Sequence, residues 1–443
     1  MSEAARPAAP PRVFGVTAVG FASFNCVVGA GIFGLPGDVA RLLGAAAVLG
    51  YLVCTLILAL VALCLAECGS RVSSAGGMYA YAATAFGPVA GGVVGTMMWL
   101  TNVFASGAVA NLWVDTLAQA WPALQQPALR IGLIAALYAV LMGVNVRSSR
   151  HGSRASSLLA AVKLVPLLVI IGAGVGHLHP ATLHWTRAPS ASALGEASAL
   201  LFFAFIGVES GLQASGEVRD PARTIPRAVL LASSLIAVLY MALQLAAQGV
   251  LGDALASASA PLVDVAAAEF GSAGREFMLI AIVVSTLGYL VADLLVSPRA
   301  LFALAEGGQL PRTLAAVHAR FGTPYAAVAA HASLSFVLAV ASSFHHLALL
   351  TSSTTLIAYL CCCLGVLRLR SRGIAQAGTP FVAPGGALVP LAAALLVTAL
   401  LLALPREDLG TTALIIAVSG SAYAALARRR GTYQRATKAR SMR

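Results

Sequence analysis

A chain of 443 residues in which 59% are hydrophobic and only 10% charged, with a mean hydropathy of +0.88, has too few polar side chains to clothe a water-exposed globule. It reads as an all-α integral membrane protein. The net charge of +12 would suit a nucleic-acid binder, but the basic residues gather in the gaps between apolar runs, where they set membrane orientation instead.

The opening MSEAARPAAPPR, residues 1–12, is short, proline-rich and polar, so it is expected to be a disordered cytoplasmic tail and not a cleaved signal peptide. Twelve apolar runs follow, near 13–36, 42–66, 88–118, 129–146, 155–176, 194–216, 227–250, 275–304, 324–344, 347–367, 386–404 and 409–427, each close to what crossing the hydrocarbon layer requires. With both termini inside, the inner gaps hold Arg147, Arg150, Arg154, Arg219, Arg223, Arg227, Arg368, Arg370, Arg372 and the cluster over 428–443. The outer gaps hold only Arg41, Arg130, Arg187, Arg275 and Arg406. That bias supports an even number of spans. The gaps near 177–193 and 251–274 are too short to fold alone, so one membrane domain is expected.

The first span carries 25-NCVVGAGIFGLPG-37, dense in glycine for a segment meant for lipid. Seven cysteines (Cys26, Cys54, Cys64, Cys68, Cys361, Cys362, Cys363) fall in or beside spans and read as small apolar packing residues, without a disulfide or zinc spacing. In the fifth span Lys163 stands among apolar neighbours. The loop 177-HLHPATLH-184 gathers three histidines but no cysteine or carboxylate to complete a metal site. The sixth span, 202-FFAFIGVESGLQASGEVRDPARTIPRA-228, meets Gly207, Glu209, Gly211 and Gly216. In the eighth, Asp293 lies within 286-TLGYLVADLLVSPRA-300.

Helix-breaking residues at membrane depth are tolerated only where the freed backbone is buried in protein or lines a cavity. Two such segments five spans apart point to a transporter of inverted repeats with its site at the midplane. Glycine permits the break and lets a ligand approach the bare N–H groups of a half-helix N-terminus, which suit a carboxylate. Close helix packing is the other use of such glycines. The sequence shows no HExxH, no Ser/His/Asp set in the spans and no cofactor fingerprint, so neither an enzyme nor a metal or cofactor is expected. Repeated polar rings of a channel are also lacking.

VVGAGIFGLPG, FFAFIGVESGLQASGEVRDPARTIPRA, 74-SAGGMYAYAATAFGP-88, 163-KLVPLL-168 and 297-SPRALFALAEGGQLPRTLAAVHARFGTP-324 resemble the amino acid–polyamine–organocation superfamily of permeases, and FIGVES is most similar to its bacterial basic amino acid and amine antiporters. The likeness runs to about residue 428. It implies a 5+5 inverted-repeat core, 13–176 and 177–367, with the first and sixth spans unwound. Two peripheral spans over 386–427 and a basic tail over 428–443 complete the chain. The implied activity is sodium-independent, proton-coupled transport of amino acids or their amines across the inner membrane, or exchange of cationic amino acids or polyamines. The implied assembly is a monomer or homodimer in the bilayer, with no nucleic acid.

Carried onto this chain, the family's substrate site falls on Val27, Gly29, Ala30 and Gly31 and on Phe203, Ile206 and Gly207. Amides of the first span would take the α-carboxylate and freed carbonyls the α-ammonium. Phe203 stands where a gating tryptophan is found in the arginine exchanger, and Ser106 falls near a pocket asparagine. Three ionisable residues are placed inside spans, where each is a functional hypothesis by default. Lys163 matches the lysine that replaces sodium between the first and eighth spans, or else snorkels to the interface. Glu209 matches a pH-sensing glutamate, or serves as a structural acceptor for unwound backbone. Asp293 departs from the family pattern, and it either pairs with Lys163 or faces a cationic substrate. Glu67 and Glu217 read as capping partners of Arg71 and nearby arginines, each worth little.

Overall fold

The computed structural model describes residues 15–72, 76–147, 152–177, 188–209, 218, 220–376 and 378–441. The tail over 1–12, most of the histidine loop, Gly211, Gly216 and Glu217 lie outside the described residues. Fifteen α-helices are described, and no strand is among them. In chain order they are α1 Val16–Val27, α2 Gly31–Leu43, α3 Ala47–Arg71, α4 Met78–Phe86, α5 Pro88–Ala118, α6 Pro127–Arg147, α7 Gly152–Gly174 and α8 Ala191–Phe205. After these come α9 Pro221–Leu251, α10 Pro261–Val296, α11 Pro298–Glu306, α12 Tyr325–Ala341, α13 Phe344–Ser371, α14 Leu388–Leu402 and α15 Arg406–Ser441.

Seven helical stretches are long and apolar enough to cross a membrane, and five shorter helices are apolar. The outward faces confirm the solvent: Leu402 is 73% exposed, Leu395 70%, and Val238 and Ile280 64% each. Such faces fit lipid and not water. Lipid gives no hydrophobic push between helices, so close packing at small residues joins them. Helix α15, for example, lays Tyr423 over Gly92 of α5 and bonds its hydroxyl to Thr96 at 2.8 Å.

Three pairings organise the interior: α3 against α9, α5 against α10, and α6 against α12. Helix α13 packs on α5, α3, α4 and α8, while α7 lies against α9 and α10. The gap expected over 251–274 is partly helical. Pro261, whose fixed φ suits a first helical position, starts α10 there, and Leu262, Val263, Val265 and Ala266 bury its inner face. At Gly271, with φ +66°, the backbone turns before the main shaft continues. Ala258 and Leu255 close over Gly37, covering the far end of α2.

At the end of α3, Glu67 is fully buried and far from a minor cap. Its Oε1 accepts from Arg71 Nε at 2.9 Å and Arg370 Nε at 2.7 Å, and its Oε2 from Arg370 Nη2 at 2.6 Å and the Ala383 N–H at 2.9 Å. One carboxylate therefore ties α3, α13 and the 372–387 connection together.

Candidate functional site

The helical ladder stops at Val27 and resumes at Gly31, and again stops at Phe205. These two interruptions touch. A Cβ on Gly31 would lie 2.8 Å from Ala204 Cα and 3.1 Å from Phe203 Cδ1, while one on Gly207 would lie 3.1 Å from the Cys26 carbonyl carbon. Gly207 also has φ +119°, a conformation that side chains resist. So α2 starts against α8, and the turn after α8 sits against the end of α1. Gly31 is thus a packing glycine as well as a candidate ligand position.

The crossing has a defined polarity. The first amides of α2 and the last carbonyls of α1 and α8 lack full helical partners, although Phe33 N–H reaches the Ala30 carbonyl at 3.1 Å and Ile206 N–H the Phe203 carbonyl at 3.4 Å. Positive and negative helix ends therefore face one region, an arrangement suited to a carboxylate and an ammonium on a single small molecule. Some freed groups are already held. Tyr240 of α9 donates to the Val27 carbonyl at 2.9 Å and also receives the Gly29 N–H. Glu209 Oε2 accepts from the Gly207 N–H at 3.1 Å and from the Tyr359 hydroxyl of α13 at 2.6 Å.

Aromatic rings wall the crossing. Phe203 meets Phe344, the first residue of α13, edge to face at 5.7 Å, and the Phe344 ring also lies over Gly34. Behind α8, Tyr51, Phe205 and Tyr240 form an edge-to-face chain that joins α3, α8 and α9. Val27, Gly29, Ala30, Gly31, Phe203, Ile206, Gly207 and Glu209 are thus brought together. Lys163 of α7 is buried, 7% exposed, beside Cys26, and no hydrogen bond or ion pair reaches its ammonium among the described residues. Snorkelling does not describe it.

Ser106 and Asp293 belong to a second polar cluster. Ser106 bonds to the Tyr138 hydroxyl of α6 at 3.1 Å, which ties it to α6 and to neither break. The partner of Asp293 is His331 of α12, at 3.0 Å from Oδ2, and not Lys163; Oδ1 accepts the Ser297 hydroxyl at 2.5 Å. Both carboxylate oxygens are therefore engaged without a substrate. Tyr289, one turn from Asp293, lies within electrostatic reach of Asp293, Tyr138, Cys26 and Glu209, and so stands between the two clusters.

Tyr240, Tyr359, Phe344 and His331 are absent from the expected site. For His331 a signal existed: it is an imidazole inside an apolar span and belongs beside Lys163, Glu209 and Asp293. The other three are ordinary aromatic residues of apolar helices, marked by nothing local.

Residues 14–423 match the model of a family described as amino acid permease. The chain is 33% identical over 307 residues to an uncharacterized transporter of Mycobacterium tuberculosis, covering 68% of this chain and 67% of that protein. It is 27% identical over 318 residues to the methylthioribose transporter of Bacillus subtilis, covering 68% of each. With the serine/threonine exchanger SteT of the same bacterium it shares 25% identity over 371 residues, 78% of this chain and 80% of the other. A match over nearly the whole chain, on an all-helical apolar body, settles the family: this protein is a multi-pass membrane permease of the amino acid permease family, within the amino acid–polyamine–organocation superfamily.

Proposed function

We propose that this permease is a secondary active transporter of amino acids that works by alternating access, without sodium and with proton coupling, in a bacterial inner membrane with both termini cytoplasmic. The observation that carries the reading is the contact between the two helix interruptions, Gly31 on Ala204 and Gly207 on Cys26, with opposite helix ends facing one region. In this reading the Ala30 and Gly31 amides take the α-carboxylate, and the carbonyls of Val27, Phe203 and Ile206 take the α-ammonium. Phe203 and Phe344 close over the ligand.

The same reading groups the helices into twelve spans. The first is α1 with α2 and the sixth begins at α8; α3, α5 and α6 answer to α9, α10 and α12, and α14 and α15 are peripheral. That each of those three pairs packs together supports this grouping. Lys163, buried beside the end of α1, takes the place of a sodium ion.

A neutral substrate is favoured over a cationic one because Asp293 is already held by His331 and Ser297. Exchange is the second reading, favoured by the likeness to a serine/threonine exchanger. Thermal-shift screening of the twenty amino acids and common polyamines, followed by uptake into liposomes of those that stabilise the protein, tests the assignment. Stabilisation by neutral amino acids supports it, and stabilisation by polyamines alone refutes it.

A further inference from the structure

Asp293 and His331 meet between α10 and α12 with side-chain exposures of 2% and 0%. With Asp293 as the carboxylate, the contact at 3.0 Å requires a donor, which puts the proton of a neutral imidazole on Nε2. Nδ1 is then a bare acceptor, and it is buried without a hydrogen-bond partner among the described residues. In this state the pair carries one negative charge. A proton added to Nδ1 makes a carboxylate–imidazolium pair of zero net charge, and burial favours the smaller net charge.

Among the described residues, no lysine or arginine forms an ion pair with Asp293. Tyr138 of α6 and Tyr289 of α10 lie within electrostatic reach of Asp293, with the Ser106 hydroxyl of α5 behind Tyr138. Lys163 of α7 lies beside Cys26, Tyr240 of α9 is committed to Val27, and Asp38 and Arg41 of α2 pair with each other.

A small cleft lies near the pair. A cleft of about 20 Å³ opens between α6, α10, α11 and α12, lined by Asn145, Leu294, Pro298, Thr323 and Val328, with the exposed Arg299 at its mouth. That volume holds about one water. Val328 lies one helical turn before His331, and Leu294 and Pro298 flank the turn that carries Ser297, so a single turn separates cleft and pair.

We infer that Asp293 and His331 form a proton-binding site at His331 Nδ1, and that this proton is the one that moves with substrate. The binding of the proton stands on the geometry by itself; its coupling rests on the transport reading.

The first test needs no substrate. In protein labelled with ¹⁵N-histidine, the His331 signal, assigned by its loss in His331→Gln, is expected to change with pH, and Asp293→Asn, which removes the carboxylate facing Nε2, should alter that response. A His331 signal that is the same at pH 9 and pH 5, or a response identical in Asp293→Asn, overturns the site.

The second test uses liposomes with a trapped pH dye and L-serine or L-arginine as probe. A glutamine in place of the imidazole would keep an N–H toward Asp293 but hold no proton. In His331→Gln the number of protons moved per substrate should therefore fall at least tenfold. An unchanged ratio in a variant with a wild-type thermal midpoint overturns the coupling role. If wild-type protein moves neither probe, the transport reading is what fails, and the histidine titration still decides the site.

Discussion

At Gly31, a single added carbon would meet Ala204 Cα and Cβ at 2.8 Å, backbone that cannot give way cheaply, whereas at Gly29 the nearest atom is the Val27 carbonyl oxygen at 3.6 Å. Gly31→Ala is therefore expected to lower the thermal midpoint, at a cost of about 1–3 kcal/mol for overpacking, and Gly29→Ala to leave it near wild type. Equal midpoints for the two variants would mean that α2 does not rest on α8 here. Glu209 offers a second contrast. Tyr359→Phe removes a hydroxyl bond to a buried carboxylate and should cost about 1.5–3 kcal/mol, while Glu209→Gln keeps an acceptor in place and should cost less. Differential scanning fluorimetry in one detergent compares them, and the reverse order would show that Tyr359 is not the partner that matters.

Elements add what residues cannot do separately. Helix α13 delivers Phe344 at its start, Tyr359 at its middle and Arg370 at its end, so one rod touches the aromatic lid, the buried glutamate and the Glu67 knot. Truncating Phe344→Ala should uncover Phe203 and weaken substrate retention, seen as faster dissociation with the folded midpoint little changed; unaltered dissociation would show that the ring is only packing. Removing Glu67 strands Arg71 and Arg370 against buried backbone, and Glu67→Ala is expected to cost about 3–5 kcal/mol, far more than a surface pair. A loss under about 1 kcal/mol in denaturation, the range of an exposed pair, would contradict that.

How much of this was legible follows from range. The interruptions at 28–30 and after Phe205 announce themselves locally, through glycines set in apolar runs. Their partners do not. Tyr240 lies 213 residues from Val27 and Tyr359 lies 150 from Glu209, and a tyrosine in an apolar helix gives no hint of which carbonyl or carboxylate it will reach. Asp293 stood out as an intramembrane charge, yet assigning it to Lys163 required knowing which face of α10 meets which neighbour, and α12 supplies His331 instead. The Glu67 knot was underrated for a related reason: a charge near a helix end looks solvated until the 372–387 connection folds over it.

In the whole molecule, the crossing of α1, α2 and α8 is accompanied by two buried ionisable positions, Lys163 and the Asp293–His331 pair. A carrier of the proposed kind is expected to saturate and to show trans-stimulation, since each turnover needs a bound ligand to pass the closed state. Counterflow into liposomes preloaded with the same unlabelled amino acid, measured for each of the twenty in sodium and again with choline in its place, tests this most directly. Saturable, trans-stimulated accumulation of at least one neutral amino acid, equal in the two salts, is the predicted result. A sodium requirement, or no counterflow for any of the twenty, would contradict it.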